Sequence, residues 1–246
     1  MRLREFAVEL EGHERSIEYD FHLQTRCVSA HYERCLPRFD NDAGWKILVE
    51  CVDVVRRERV LPQLGVLMIE QAFDADAFFG ADAHGKKCRA LEVLHAGVLV
   101  VASRLGWPTA PFEEARRCVL AAGLQNRWVW RSPKASPDRR HRAFLDCHHD
   151  VDSFRAWLVV QDRRGIELGR GLAIEERPSE FAFVPNMGKV RWSSPDRVVL
   201  EAKDGHEVAA IEVAHKAQDG TIMESHADQD GTQVVEPKTK SDRKIE

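Results

Sequence analysis

The spacing of hydrophobic residues changes near residue 123, and the two parts of the chain predict different elements. In the first part, apolar side chains recur either at every second position, as in Phe6, Val8 and Leu10, or at helical spacing. The predicted elements are a strand at 2–10, a helix at 16–36, strands at 45–55 and 64–73, and helices at 85–105 and 110–122. The first part should therefore mix helices with strands.

Two segments should form the centre of this first half. The run at 45–55 is almost continuously apolar and rich in β-branched residues, which predicts a central strand covered on both faces. The apolar residues of the 85–105 helix wrap more than half of its circumference, so this helix should pack on more than one side. We expect Leu94, Val98 and Leu105 to be deeply buried.

After residue 123 the period becomes two and remains two to about residue 213. Short strands are predicted at 124–131, 142–147, 154–161, 166–174, 181–184, 190–192, 198–202 and 208–213. The connections are too short for crossover helices, so these strands should pair antiparallel. The sequence thus predicts an α+β fold in which antiparallel sheets are covered by two to three helices.

The apolar pattern ends at about residue 214. Residues 217–246 carry seven acidic and four basic side chains and no aromatic residue. Such a segment cannot bury enough apolar surface to offset the entropy lost on ordering it. We expect a single domain at 1–214, with a helix-containing half at 1–123 and a β-rich half at 124–214. A disordered polar tail should follow at 215–246.

Composition and charge restrict the class of protein further. The chain is 43% hydrophobic and 31% charged, with a net charge of −4. This balance disfavours binding to nucleic acid or to anionic membranes by bulk charge, although a local basic patch would survive it. No apolar run is long enough to span a bilayer. The first residues lack the apolar core of a signal peptide, which favours a cytoplasmic protein.

Most of the six cysteines lie inside apolar patterns. In a cytoplasmic protein, such residues behave as small hydrophobic side chains, so we expect all six to be free thiols. Cys27, His31 and Cys35 would form one stripe on the 16–36 helix. The first and third lie about 12 Å apart along a straight helix, too far to share one tetrahedral metal, so packing is the simpler interpretation.

The sequence motifs of common enzymes are absent, including phosphate-binding glycine loops and the zinc-protease and hydrolase signatures. One acidic pair remains as a candidate for metal chemistry. Asp74 and Asp76 follow the predicted strand at 64–73, a position from which paired carboxylates bind Mg²⁺ in phosphoryl-transfer enzymes. The same residue type also caps helices, and a helix is predicted to follow.

A second candidate is the cluster of His148, His149 and Asp150. Imidazole and carboxylate groups are common zinc ligands, and a neutral histidine is the usual general base. Adjacent residues of a strand point to opposite faces, however, so the two histidines could not share one ion there. An exposed turn that satisfies its own backbone is the simpler interpretation of this segment.

The third candidate is a basic stretch in which arginine and lysine alternate with tryptophan. Tryptophan and arginine are enriched at protein interfaces, and the same combination also binds single-stranded nucleic acid. Tryptophans in the core and arginines on a solvated face are the alternative. The residues expected to contact a partner are Trp130, Arg131, Lys134, Arg139 and Arg140.

These observations favour a non-enzymatic protein-binding module of the bacterial immunity or antitoxin type, which masks a protein partner such as a toxin. The alternative is a metal-dependent hydrolase or nuclease-like enzyme, and convergence of its groups in one cleft would favour it. Its residues would be Asp74, Asp76, His148, His149 and Asp150. The sequence predicts no cofactor, bound metal or membrane contact, disfavours nucleic acid and leaves the oligomeric state open.

Overall fold

The structure is a computed structural model that describes residues 1–213. Its helices are α1 (Arg15–Cys35), α2 (Ala75–Phe79), α3 (Ala83–Leu105), α4 (Ala110–Ala121) and α5 (Glu180–Phe183). The strands of the first half are β1 (Arg2–Leu3), β2 (Glu5–Leu10), β3 (Phe39–Asp40), β4 (Lys46–Val52), β5 (Leu61–Gln63) and β6 (Val66–Ala72). Those of the second half are β7 (Asn126–Ala135), β8 (His141–His149), β9 (Phe154–Asp162), β10 (Glu167–Glu176), β11 (Lys189–Trp192), β12 (Arg197–Glu201) and β13 (Glu207–Glu212).

The predicted α+β class is confirmed, with a strand-rich second half built from antiparallel sheets. None of the helices within residues 1–213 has the combined length and apolarity needed to cross a membrane. The predicted polar tail at 215–246 lies outside the described residues.

The first half contains a four-stranded sheet in the order β2-β4-β6-β5. The strands β2, β4 and β6 run parallel, whereas antiparallel pairing was expected, and only β5 is antiparallel to β6. Between β2 and β4 the chain crosses over through α1, which returns it to the edge of the sheet at which β2 begins, so β4 runs parallel to β2. The segment between β4 and β6 is likewise more than a hairpin turn. It carries the chain back to the edge of the sheet at which β4 begins and adds β5, so that β6 runs in the same direction as β4.

Helices α1 and α3 contribute to one large hydrophobic core together with the sheet. As predicted, β4 is central, and its residues from Ile47 to Cys51 are all buried. Leu94 and Val98 of α3 are fully buried. Leu105 is 37% exposed, so its predicted burial is wrong. It occupies the last position of α3 and is not among the residues of the first core.

Helix α3 approaches the central strand closely at Gly97. A Cβ atom at this position would lie 2.5 Å from Cγ2 of Val49, well inside van der Waals contact. The absence of a side chain at Gly97 therefore allows α3 to pack this close to β4.

We expect Gly97→Ala to lower the free energy of unfolding by about 1–3 kcal/mol, because overpacking outweighs the gain in helix propensity. Urea unfolding measures the change. Adding Val49→Ala should recover part of the loss, since it removes the methyl groups that the new side chain meets. A Gly97→Ala variant as stable as the wild type would show that the helix can move away from the sheet freely.

The outer edge of the first sheet, strand β2, contacts side chains of α1. The backbone N–H of Phe6 donates to Oε1 of Glu33 at 3.0 Å, and Nη1 of Arg26 lies 3.5 Å from the carbonyl oxygen of Phe6. Arg26 also pairs with Glu33 at 2.9 Å and with Glu180 of α5 at 2.6 Å. At Phe6, the outer edge of β2 is therefore hydrogen-bonded by side chains and not by a further strand.

The second half contains two antiparallel sheets, in the orders β10-β9-β8-β7 and β11-β12-β13. Both contribute to a second hydrophobic core, which includes Leu145, Leu158, Val198 and Leu200. Seven of the eight strands predicted here are present at nearly the predicted positions.

The exception is 181–184, predicted as a strand, which forms α5 and part of a 3-10 turn at Val184–Asn186. The apolar alternation there has another cause. Phe183 points into the second core and stacks on Phe154, with ring centroids 3.8 Å apart, while Phe181 is 94% exposed. A segment this short gives the same pattern in one helical turn and in a strand.

There are two cores within residues 1–213, and the halves are joined both by apolar packing and by other contacts. Leu124 and Val151 of the second half are buried in the first core. The side-chain amide of Asn126 donates to the carbonyl oxygen of Cys27 at 2.7 Å. The guanidinium of Arg34 lies 4.1 Å from the ring centroid of Trp128. The prediction that 1–214 form a single domain stays a prediction.

The prediction of six free thiols is wrong. Cys35 at the end of α1 and Cys118 of α4 form a disulfide that spans 83 positions of sequence. The packing of α1 against α4 brings them together, and no spacing in the sequence indicates it. The free cysteines in the described part of the chain are Cys27, Cys51, Cys88 and Cys147. Because disulfides are typical of oxidising compartments, the cysteines no longer support a cytoplasmic location, which remains a prediction.

Candidate functional site

The acidic pair Asp74 and Asp76 has a structural explanation. Asp74 is the N-cap of α2, and its carboxylate accepts a hydrogen bond from the backbone N–H of Ala77 at 2.8 Å. Asp76 lies in the first turn of the same helix. Asp82 caps α3 in the same way, through the N–H of Gly85 at 2.7 Å. These carboxylates stabilise two helix N-termini. Asp82 caps the predicted helix, whereas Asp74 and Asp76 serve α2, a short helix that the sequence did not predict.

The two adjacent histidines diverge, as expected for neighbours on a strand. Both lie at the end of β8 rather than in the exposed turn that was the simpler interpretation. His149 is 1% exposed in the second core, where its ring contacts Phe154 and Phe183 and its Nε2 lies 3.3 Å from the carbonyl oxygen of Pro178. Burial lowers the pKa of His149 to about 4. This imidazole is therefore neutral near pH 7 and packs as part of the core.

His148 faces the other way and belongs to a charged cluster between the two halves. Nζ of Lys87, on α3, lies 2.6 Å from Oδ1 of Asp150, and Nε2 of His148 lies 3.4 Å from Oδ2 of the same carboxylate. Lys87 is only 4% exposed. Burial, followed by the nearby charge of Arg127, lowers the pKa of His148. The cluster contains one strong ion pair, and that pair connects α3 to the β8–β9 turn.

None of the sequence-predicted ligand groups forms a metal centre. Within residues 1–213, no group of three or more histidine, cysteine, aspartate or glutamate side chains is arranged to hold a metal ion. In the stripe of Cys27, His31 and Cys35 on α1, the sulfur of Cys35 is bonded to Cys118 and cannot bind a metal. Burial raises the pKa of the Cys27 thiol to about 12, and burial lowers the pKa of His31 to about 4. Both groups are neutral near pH 7, which agrees with packing.

The structure aligns a row of carboxylates that the sequence analysis did not predict. The register of the parallel strands places Glu9, Glu50 and Glu70 side by side across β2, β4 and β6. The guanidinium of Arg57 contacts Glu50 directly and lies 3.7 Å from Glu70. Burial raises the pKa of Glu50, whereas hydrogen bonds from the backbone N–H groups of Arg56 and Arg57 lower that of Glu70. Arg57, in the adjoining loop, therefore offsets part of the negative charge of Glu50 and Glu70.

The predicted partner-binding residues lie on β7 and on the turn after it. The strand β7 has an interruption in its pairing with β8 between Trp130 and Lys134. Arg131, within this interruption, has a φ of 58° and places its guanidinium 4.2 Å from the ring centroid of Trp130. Trp130 packs against the second core and is only half-buried, and Arg131 covers part of its remaining surface. The Trp130 ring therefore serves mainly to position the Arg131 guanidinium, and little of the ring is free to contact a partner.

The turn that follows carries Arg139 and Arg140 at its tip. Asp138 fixes this turn, since its Oδ1 accepts hydrogen bonds from the hydroxyl of Ser136 at 2.6 Å and from the N–H of Arg140 at 3.1 Å. The Arg140 guanidinium lies 3.5 Å from the same carboxylate. The Arg139 side chain has no ion-pair partner among the described residues.

A second hairpin tip, between β9 and β10, lies beside the first, and its arginines were not among the predicted partner-binding residues. Nε of Arg163 donates to the carbonyl oxygen of Arg139 at 2.8 Å. Asp162 fixes this second tip by accepting from the N–H groups of Arg164 and Ile166 at 2.8 and 2.9 Å. The two tips therefore form one surface with the end of β7.

We call this surface the basic end. Its exposed cationic residues are Arg131, Lys134, Arg139, Arg140, Arg142, Arg163 and Arg164. Asp138 and Asp162 lie among these cations, and both are used in the turns. Nearby, Glu167 pairs with Arg170 at 3.0 Å, and Glu212 at the end of β13 lies 3.8 Å from Arg197. In the described part of the chain, Arg140 is the one member with an ion pair. A chain with a net charge of −4 thus concentrates unpaired positive charge at one end of its β-rich half.

Comparison with known proteins gives no further guide. Neither the protein-family models, nor the curated proteins, nor the solved structures contain a match to this chain.

Proposed function

We propose that the protein is a non-enzymatic binding protein that receives an acidic surface of a protein partner at its basic end. The observation that carries this proposal is the convergence of seven exposed cations, of which Arg140 alone has an ion pair within residues 1–213. Neighbouring like charges repel one another, and an acidic partner would remove that repulsion on binding. The same field would steer the partner toward the surface and raise the association rate.

The arrangement of aromatic groups supports a protein partner over single-stranded nucleic acid. Stacking of bases requires exposed aromatic faces beside the cations. Trp130 is half-buried and partly covered by Arg131. Trp192 donates its Nε1 hydrogen bond to the carbonyl oxygen of Lys134 at 2.9 Å, and its ring stacks on His141. Both rings are engaged within the protein, and this favours charge recognition over stacking.

A protein that masks a toxin, as immunity proteins and antitoxins do, is the kind of binding module that we propose. Such proteins gain rapid and selective association from charge complementarity, and the basic end offers that property. The alternative of a metal-dependent hydrolase has less support, because Asp74 caps a helix and His148 and His149 point to opposite faces of β8.

The test begins with capture of the partner from the source organism by the full chain, followed by binding kinetics. We expect Arg139→Glu combined with Arg140→Glu to slow association by about tenfold at low ionic strength, with a smaller effect at high salt. The matched control is Arg59→Glu combined with Arg89→Glu, because both residues are exposed and unpaired in the described part of the chain. This control carries the same change in net charge.

Two results would contradict the proposal. One is equal association rates for the Arg139/Arg140 variant and the control. The other is tighter binding of single-stranded DNA than of an acidic protein at the basic end. Alanine substitutions at Asp74, Asp76, His148 and His149 should leave partner binding intact in every variant that remains folded. If these substitutions instead abolished both function and the binding of a metal ion, the enzyme alternative would be favoured.

A further inference from the structure

The described part of the chain ends next to the basic end. The final strand, β13, pairs Ile211 with Val198, which in turn pairs with Trp192 of β11. Trp192 contacts both Lys134 and His141 at the start of the first hairpin tip. On the other side, Ile211 lies against Gly169, near the second tip. The chain therefore leaves β13 at the same end of the β-rich half where the seven cations lie.

The sequence that follows is acidic. Residues 217–237 contain five carboxylates and no lysine or arginine. The acidic positions are Asp219, Glu224, Asp228, Asp230 and Glu236. From Val213 to Asp219 is six residues, which span about 20 Å when extended. This length is enough to bring the first carboxylate, and then the others, over the two hairpin tips.

We propose that residues 217–237 bind the basic end of their own chain. The charges are opposite, and the attachment point lies beside the surface. A short tether gives the segment an effective concentration of about millimolar, so even weak ionic contacts would be populated at low salt. An external acidic partner would then have to displace the segment. The inference requires that the basic end bind anions, but it does not require that the natural partner be a protein.

The test uses the full chain and a fluorescein-labelled polyglutamate peptide, with binding followed by fluorescence anisotropy. The first variant neutralises the five acidic residues by Asp219→Asn, Glu224→Gln, Asp228→Asn, Asp230→Asn and Glu236→Gln. The matched control neutralises five exposed acidic residues of the first half by Asp20→Asn, Asp42→Asn, Glu58→Gln, Glu92→Gln and Glu114→Gln. Both variants change the net charge equally, and only the first removes the proposed competitor.

We expect the first variant to bind polyglutamate about fivefold more tightly than the wild type or the control at low salt. The difference should vanish near 1 M salt, where the Debye length falls to about 3 Å. Carbodiimide treatment of the wild type should also couple the amine of Lys134 to carboxylates of 217–237 within one chain, as detected by mass spectrometry.

Three results would overturn the inference. Equal affinity in all three proteins would show that the segment does not compete, and the proposed function would survive. Equal tightening in the variant and the control would assign the effect to net charge alone, again without harming the proposed function. Absence of polyglutamate binding in every protein, at any salt concentration, would remove both this inference and the basic end as an anion-binding surface.

Discussion

The Asp150→Asn variant is expected to lose about 3 kcal/mol of its free energy of unfolding. The substitution leaves the ammonium group of Lys87, which is 4% exposed, without its carboxylate partner at 2.6 Å. Breaking a buried ion pair by removing one member is strongly destabilising, because a charge then remains in a poorly solvated position. We use the lower end of the usual range because the Asp150 side chain is 23% exposed. Chemical denaturation with urea measures the loss.

A double variant provides the control. Lys87→Met combined with Asp150→Asn removes both charges and should be more stable than Asp150→Asn alone. A loss below about 1 kcal/mol in the single variant would show that water or another group solvates Lys87 without Asp150.

The ion pair of Lys87 with Asp150 should also make the free energy of unfolding depend on pH. Burial by itself raises the pKa of Asp150, but the hydrogen bonds from Lys87 and from the backbone of Val151, with the charge of Lys87, lower it below its ordinary value of 3.8. A carboxyl group whose pKa is depressed on folding stabilises the folded state fully above its unfolded pKa, and this contribution disappears as pH falls through the folded pKa. The stability difference between wild type and Asp150→Asn should therefore be constant near neutrality and shrink below about pH 4.

Replacing Leu94 with alanine is expected to lower the free energy of unfolding by about 2–5 kcal/mol. Leu94 is fully buried in the first core, on the helix that packs on the central strand. Leu105→Ala on the same helix is the matched control, since Leu105 is 37% exposed and should lose less than about 1 kcal/mol. Similar losses in both variants would mean that α3 does not form the centre of the core.

The elements that the sequence predicts well are those with a clear period. Helices α1, α3 and α4 and seven strands of the second half follow from apolar spacing and from residues such as Gly106 and Pro37 that end elements. The parallel direction of β4 and β6 does not follow, because the path of the connection, including β5, depends on tertiary packing. The 181–184 segment fails because four residues are too few to separate a helical turn from a strand.

The candidate site was predicted in part for a similar reason. The cations of β7 and of the first hairpin tip are contiguous in sequence, so local composition was enough to select them. Arg163 and Arg164 join them only because β9 pairs with β8, which brings the two tips together. The Cys35–Cys118 disulfide and the row of Glu9, Glu50 and Glu70 likewise depend on elements distant in sequence. Long-range pairing is the information that a single sequence does not display.

The contact of α1 with the edge of β2 also bears on aggregation. A bare strand edge is a template on which a second molecule adds its own strand, and natural proteins protect such edges. Here Glu33 binds the N–H of Phe6, and Arg26 lies against its carbonyl oxygen, so side chains of the same molecule contact the groups that an incoming strand would need. Pairing of an incoming strand with the backbone of Phe6 would first require these two α1 side chains to release it. The ion pairs of Arg26 with Glu33 and Glu180 oppose that release, so the contacts that hold α1 on the sheet also guard this point of the edge against strand addition.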